Sequence, residues 1–219
     1  MRPLIVFDMD GVLVEVKESY RESIRATVQH FTGKEVDHAV IQEYKNRGGW
    51  NNDWKLSQEL LRVEGQTVPY ETVVEVFNQY FFGHNGVKGL IERERWIAQP
   101  GVLERINENF DFAVFTGRLH DEAMITWNRF GTSLRCFAVI GDDNVEFSKP
   151  HPDGLNKLKS LHPTGPVYYL GDTIDDAKAS RDAGVPFIAV TAPGGNFTGL
   201  PVAHFIESIN QLEDILNHG

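Results

Sequence analysis

Leu4-Ile5-Val6-Phe7-Asp8-Met9-Asp10-Gly11 joins an apolar run to a pair of carboxylates and a glycine. Four apolar residues in a row suit a strand covered on both faces, and two carboxylates one residue apart follow at its end. Alternate side chains of an extended chain point the same way, so Asp8 and Asp10 begin on one side before Gly11 lets the backbone turn. That arrangement suits a nucleophile beside an acid or base, or a shared metal. A polar turn that uses Asp and Gly only for their turn chemistry is the other reading. The rest of the chain separates the two.

Similar apolar runs recur at 112–115, 137–140, 167–170 and 187–190, with a weaker one at 204–206. Between the later runs lie helical patterns: Leu119, Ala123, Trp127 and Phe130 share one face, and Ile209, Leu212, Ile215 and Leu216 another. Strand and helix alternating from about residue 100 onward predicts an α/β fold, a doubly wound parallel sheet of Rossmann-like type. Ligands of such sheets sit at the C-terminal ends of the strands.

The segment 15–95 reads differently. Its apolar positions have helical spacing: Tyr20, Ile24, Val28 and Phe31, then Trp54, Leu60 and Leu61, then Tyr70, Val73, Val74, Phe77, Tyr80 and Phe81. It is too long for a loop and shows no convincing strand, so it is expected to be an inserted all-helical domain. The core is then 1–14 with 96–219. The Gly-rich stretch Gly83-His84-Asn85-Gly86-Val87-Lys88-Gly89 is read as the linker back to it.

The whole chain has 219 residues, 41% hydrophobic and 24% charged, with a formal net charge of -10. That balance suits a soluble globular protein and argues against nucleic acid and anionic membrane surfaces as partners. It leaves a phosphate substrate open, because a bound cation and a few basic groups make a site locally positive. The single cysteine, Cys136, gives no disulfide framework and, lying beside an apolar run, is read as a packed thiol. No signal peptide or membrane span is visible, so the cytoplasm is the expected compartment.

Each of the first four strand ends, or the loop after it, carries polar chemistry. Asp8 and Asp10 follow the first run, and Thr116-Gly117-Arg118 follows the second with a hydroxyl, a flexible N–H and a guanidinium for anion oxygens. Asp142-Asp143 and then Ser148-Lys149-Pro150 follow the third, offering one ammonium. Gly171-Asp172-Thr173-Ile174-Asp175-Asp176 follows the fourth as an acidic turn opening a helix. Singly, these read as turns, a helix N-cap, a solvated lysine and carboxylates at the positive end of a helix dipole. Independent turns are not expected to supply carboxylates, hydroxyl, cation and carboxylates in successive strand order.

With these four segments the sequence resembles the haloacid dehalogenase-like hydrolase superfamily: Asp8-Met9-Asp10-Gly11-Val12, Thr116-Gly117-Arg118, Lys149-Pro150-His151-Pro152, and Gly171 to Asp176 running on to Gly184. The insert looks like the C1-type cap of the branch that holds phosphoglycolate phosphatases and β-phosphoglucomutases. The resemblance implies a Mg2+-dependent hydrolase of a small phosphorylated metabolite, in which Asp8 attacks phosphorus and becomes an aspartyl-phosphate. An aspartate, with an ordinary pKa of about 3.9, is ionised at neutral pH and needs no base for this. Asp10 is implied as the acid that protonates the leaving oxygen and the base that activates water. Asp8, Asp10 through its backbone carbonyl, Asp172 and Asp176 are implied as Mg2+ ligands, with Asp175 competing for the role of Asp176. Lys149, Thr116 and Gly117 are implied at the phosphoryl group, and Arg118, next in line, with less weight.

Dehalogenases of this fold lack the acid two residues after the nucleophile, so Asp10 favours phosphoryl transfer. A phosphomutase of the β-phosphoglucomutase type remains the alternative, and a binding module is disfavoured by four competent motifs. In the insert, Arg47-Gly48-Gly49-Trp50-Asn51-Asn52-Asp53-Trp54 joins two helical patterns. Gly48-Gly49 ends one helix and Asn52 or Asp53 caps the next. In C1 caps this loop reaches the active site, which makes Trp50, Asn51 and Asn52 candidates for substrate contact. Glu15 and Val16 depart from the pattern usual after the first motif, which weakens any transfer of phosphoglycolate specificity. The assembly is expected to be a monomer or homodimer.

Overall fold

The computed structural model describes residues 2–50, 52–163, 165–191 and 197–218. Six strands, β1 (Leu4–Phe7), β2 (Asp111–Phe115), β3 (Cys136–Ile140), β4 (Val167–Gly171), β5 (Phe187–Val190) and β6 (His204–Ile206), form one sheet. Every pairing in it is parallel, and the spatial order is β3-β2-β1-β4-β5-β6. This is the doubly wound order expected from the alternation of runs, and it reverses direction at β1. The site-bearing strand therefore lies at the switch point, with Phe7 in register with Val114 on one side and Leu170 on the other.

The reason is visible in the residues. Leu4, Ile5, Val6 and Phe7 are all buried, as a central strand covered on both faces requires. Below them a core of Leu4, Val6, Phe115, Leu155, Tyr169 and Phe187 packs with the alanines Ala177, Ala179 and Ala183. Small residues there let a helix approach closely.

Among the described residues the α-helices are α1 (Tyr20–Thr32), α2 (His38–Arg47), α3 (Asp53–Val63), α4 (Tyr70–Phe82), α5 (Val102–Asn109), α6 (His120–Phe130), α7 (Asp153–Leu161), α8 (Ile174–Ala183) and α9 (Leu212–His218). None is long and apolar enough to cross a membrane. The chain divides into two compact units, Met1–Val14 with Trp96–Gly219, and Glu15–Arg95.

In the second unit α1 packs on α3 and α4, with Tyr20 and Phe81 ring centroids 4.2 Å apart and Leu56, Leu60 and Val73 buried around them. Helix α2 ends at Arg47 with Gly48 as its C-cap, where Gly48-Gly49 is expected to end a helix, although Ile41 as its sole buried residue leaves it without an apolar stripe. One feature differs from expectation. The stretch expected as a return linker folds instead as a hairpin, Gly83–His84 against Val87–Lys88. Asn85 and Gly86 both take positive φ (50° and 81°), which is what a two-residue hairpin turn demands and what Asn-Gly supplies most readily. The chain re-enters the core later, through Arg95–Trp96, which pairs with Val14–Glu15 as a two-stranded ribbon.

Candidate active site

The end of β1 is held before it is used. The Asp8 N–H donates to Leu170 O at 2.8 Å, extending the β1–β4 ladder by one residue. The chain then folds back on itself, with the N–H groups of Leu13 and Val14 both 2.9 Å from Met9 O. Gly11 sits in this turn at φ 77°. Asp8 is thereby buried, while the Asp10 side chain keeps 31% of its surface.

Lys149, from the loop after β3, enters the same space. Its Nζ donates to Asp8 Oδ1 at 2.9 Å, Asp176 Oδ1 at 2.7 Å and the Tyr169 hydroxyl at 3.2 Å, so all three ammonium hydrogens have acceptors. Asp176 is aimed inward by a capping box at the start of α8. Thr173 Oγ1 accepts from Asp176 N, and Asp176 Oδ2 accepts from Thr173 N at 3.1 Å and Oγ1 at 2.6 Å. Tyr169 donates to Asp176 Oδ1 at 2.7 Å.

Asp8, Asp172 and Asp176 each offer a carboxylate oxygen, all within 4.8 Å of one another. Among the described residues Asp172 Oδ1 is buried without a hydrogen-bond partner, an arrangement that disfavours an isolated carboxylate and suits one that faces a cation. The donors are hard oxygens, as a divalent cation such as Mg2+ or Ca2+ requires, and among the described residues no nitrogen or sulfur of the zinc type joins them. Asp175, the rival of Asp176 in the sequence, is outside this trio and lies 3.9 Å from Lys178 Nζ.

Electrostatics here departs from the behaviour of free side chains. Burial, with Asp176 and Asp10 nearby, outweighs Lys149 and pushes the Asp8 carboxyl up to about 7. Asp172 goes well above its usual range for the same reason, burial first and then the charges of Asp8 and Asp176. Asp176 moves the other way. Burial raises it, but Lys149 and the hydrogen bonds from Lys149, Thr173 and Tyr169 together hold it below the ordinary value. Lys149 stays firmly charged, since Asp176 and Asp8 overcome its desolvation. A carboxyl raised to about 7 is only about half ionised at neutral pH, in contrast to a free aspartate.

Thr116, at the end of β2, is buried, and its N–H donates to Ile140 O at 3.0 Å, which fixes the hydroxyl at the strand end. Gly117 follows it. Arg118 turns inward rather than toward open solution: its side chain is 1% exposed, with Nε 2.7 Å and Nη2 2.6 Å from Asp10 Oδ1, and Nη1 2.6 Å from Thr126 Oγ1. A guanidinium so engaged is placed on Asp10, not on an incoming anion.

Asn52 belongs to the other unit. It caps α3, its Oδ1 accepting from Lys55 N at 2.9 Å, and Trp50 packs edge-on against Tyr44. Asn51 lies outside the described residues. His151 begins the turn after Lys149-Pro150, its ring against Phe147. The Cys136 thiol is pushed up to about 12 by burial, in keeping with a packed rather than reactive group. Two residues escaped the sequence reading. Tyr169 is hidden in an apolar run, where a tyrosine hydroxyl needing a buried partner was the available signal. Thr126 lies mid-helix and carries no signal of its own.

Comparison with known proteins finds relatives along most of the chain. A family model described as haloacid dehalogenase-like hydrolase matches residues 5–190. A protein of Phytophthora nicotianae named imidazoleglycerol-phosphate dehydratase is 32% identical over 198 residues, covering 86% of this chain and 43% of its own length. The chain thus spans less than half of that relative. A phosphoglycolate phosphatase of Mesorhizobium japonicum is 22% identical, with 86% of this chain and 82% of that protein covered. Among solved structures, a phosphatase from Thermococcus thioreducens is 25% identical with a TM-score of 0.70, over 99% of this chain and 100% of that one.

Proposed function

The chain belongs to the haloacid dehalogenase-like hydrolases, and from that premise we propose that it hydrolyses a small phosphate monoester through an aspartyl-phosphate on Asp8. The observation that carries the reading is the bridge of Lys149 from Asp8 to Asp176, beside the unpartnered Asp172 oxygen. A structural lysine needs one counter-ion; this one is held between the proposed nucleophile and a carboxylate of a metal-suited trio.

Asp8 attacks phosphorus through a carboxylate oxygen, and the bond from phosphorus to the ester oxygen breaks. Asp10 gives its proton to that departing oxygen and later removes one from the water that cleaves the acyl phosphate. The Thr116 hydroxyl and the Gly117 N–H bind the oxygens of the transferring group, and Lys149 offsets its charge. Asp8, Asp172 and Asp176, with the Asp10 carbonyl, would hold Mg2+. When bound it would neutralise the repulsion between carboxylate and phosphate dianion.

The insert 15–95 is the proposed C1-type cap and the seat of substrate choice, supported by its size and by the aromatic and amide groups of the loop around Asn52. An altered phosphate-ester profile for Asn52→Ala is the expected outcome; an unchanged one removes that loop from the account.

Phosphate release from a panel of monoesters in the presence of Mg2+ tests the activity, with Asp8→Asn as control. An imidazole-bearing alkyl phosphate belongs in the panel because of the name of the Phytophthora relative. Release abolished in Asp8→Asn is expected. Stoichiometric isomerisation of a sugar phosphate without release would reassign the chain to the phosphomutases, and no turnover of any ester would sink the proposal.

A further inference from the structure

Arg118 is the residue whose placement goes furthest beyond its sequence reading. Its backbone is pinned on both sides, with the N–H donating to Thr116 Oγ1 at 3.2 Å and the carbonyl accepting from Asp142 N at 2.8 Å. The guanidinium is pinned as well. Nη1 is fixed on Thr126 Oγ1 in α6, while Nε and Nη2 converge on a single oxygen, Asp10 Oδ1. Among the described residues no hydrogen bond reaches Asp10 Oδ2, and the Asp10 side chain keeps 31% of its surface.

We propose that Arg118 is a positioning residue for proton transfer, which holds Asp10 by Oδ1 so that Oδ2 alone carries the proton to and from the reacting oxygen. The inference rests on the acid/base reading of Asp10 above. Oδ1 accepts from the guanidinium whether or not Oδ2 bears a proton, so the clamp holds the carboxyl orientation through both half-reactions. In the first, the Asp10 O–H bond breaks as the leaving alkoxide takes the proton and Asp8 bonds to phosphorus. In the second, Oδ2 takes a proton from water as water attacks the phosphoryl group and the Asp8–phosphorus bond breaks. Thr126 serves as the far anchor. Losing it loosens the arginine's rotamer and with it the carboxyl plane.

The two ends of the phosphoryl site are coupled by the same residue. Thr116, proposed at the phosphoryl oxygens, accepts from the Arg118 backbone, and Asp10 accepts from its side chain. Arginine is required for this, because a planar fork reaches Asp10 and Thr126 together while a lysine ammonium is a single point.

The test compares leaving groups. p-Nitrophenyl phosphate departs as a stable phenolate and needs little help from an acid, whereas β-glycerophosphate departs as an alkoxide and needs the proton. kcat/KM is measured for both esters with Mg2+ present in Asp10→Asn, Arg118→Met and Thr126→Val. Asp10→Asn and Arg118→Met are expected to lose about tenfold more on the alkyl than on the aryl ester, and Thr126→Val to show a smaller bias in the same direction. A merely structural role for Arg118 lowers both esters equally. Equal losses in Arg118→Met beside a biased Asp10→Asn would overturn the proposal. An unbiased Asp10→Asn would instead overturn the acid/base reading beneath it, and a wild type that turns over neither ester would overturn the phosphatase reading. If only the aryl ester is turned over, Asp10 delivers no proton to an alkoxide and the proposal falls too. Should Arg118→Met fail to fold by its melting curve, Arg118→Lys, which keeps the charge and loses the fork, decides: the bias present supports the clamp, and its absence removes it.

Discussion

Gly11 and Asp172 leave no space between them: a Cβ placed on Gly11 would lie 2.2 Å from Asp172 Oδ2. The turn after the first strand and the acidic turn after the fourth are therefore packed backbone to carboxylate. Gly11 also sits at φ 77°, where a side chain is strained by about 1–2 kcal/mol before any clash is counted.

Gly11→Ala is accordingly expected to lower stability by at least that amount and to displace Asp172. Phosphatase turnover should fall by on the order of 100-fold, since a carboxylate moved by about 1 Å no longer meets its partners. Steady-state phosphate release and urea unfolding read the two effects. A variant with wild-type turnover would mean that the Asp172 position is not critical.

Lys149→Met removes the ammonium that touches both Asp8 and Asp176. Leaving buried carboxylates without their partner is expected to cost about 3 kcal/mol or more, and turnover should drop by at least on the order of 100-fold. Equilibrium unfolding with and without Mg2+ provides the check: added Mg2+ should restore part of the lost stability, because a cation replaces the missing charge among the same oxygens.

Tyr169→Phe tests the hydroxyl alone. The variant loses the 2.7 Å bond to Asp176 and one of the three acceptors around Lys149, with the ring packing retained. A stability loss of about 1–2 kcal/mol is expected, together with a turnover reduction of about 3- to 10-fold. Unfolding curves that overlay the wild type would remove Tyr169 from the network.

Acidity offers a prediction with a definite sign. Asp8 is raised to about 7 and Asp172 is raised too, so without metal the folded state binds more protons than the unfolded chain above the ordinary carboxylate range. Their contribution to stability is therefore present at low pH and is lost as pH climbs toward about 7. Asp176 is lowered and contributes in the opposite sense, its share disappearing in acid. Because Mg2+ binds the ionised forms, the rise in Tm on adding MgCl2 should grow between about pH 5.5 and about pH 8. Thermal melts at fixed ionic strength decide it, and a Mg2+ effect independent of pH would count against these carboxylates as the ligands.

How much of this was legible in the sequence differs from residue to residue. The strands were, because Leu4 to Phe7 and Phe187 to Val190 are continuous apolar runs, and burial on both faces leaves such runs few alternatives. Asp8, Lys149 and Asp172 were also legible, since charged side chains at successive strand ends have no part in a core. The direction of Arg118 was not, because a sequence places a guanidinium on a loop without saying whether Asp10 or solvent receives it. Asp175 and Asp176 are both buried and could be told apart only by the capping box, which aims Asp176 at Asp8 and Asp172. Asn85-Gly86 reads as flexible linker by composition, yet its positive φ values make a hairpin, while α2 is legible only from Gly48-Gly49 at its end because one buried isoleucine makes no stripe.

The ribbon formed by Val14–Glu15 and Arg95–Trp96 has a consequence for the history of such a chain. Departure and return lie side by side, so the path of the sheet is continuous from one to the other whatever lies between. A lineage can lengthen, exchange or discard the intervening module by recombination at these two points without re-routing any core strand. On the proposed reading, the chemistry is thereby inherited with one part of the gene and the choice of substrate is left free to drift with another.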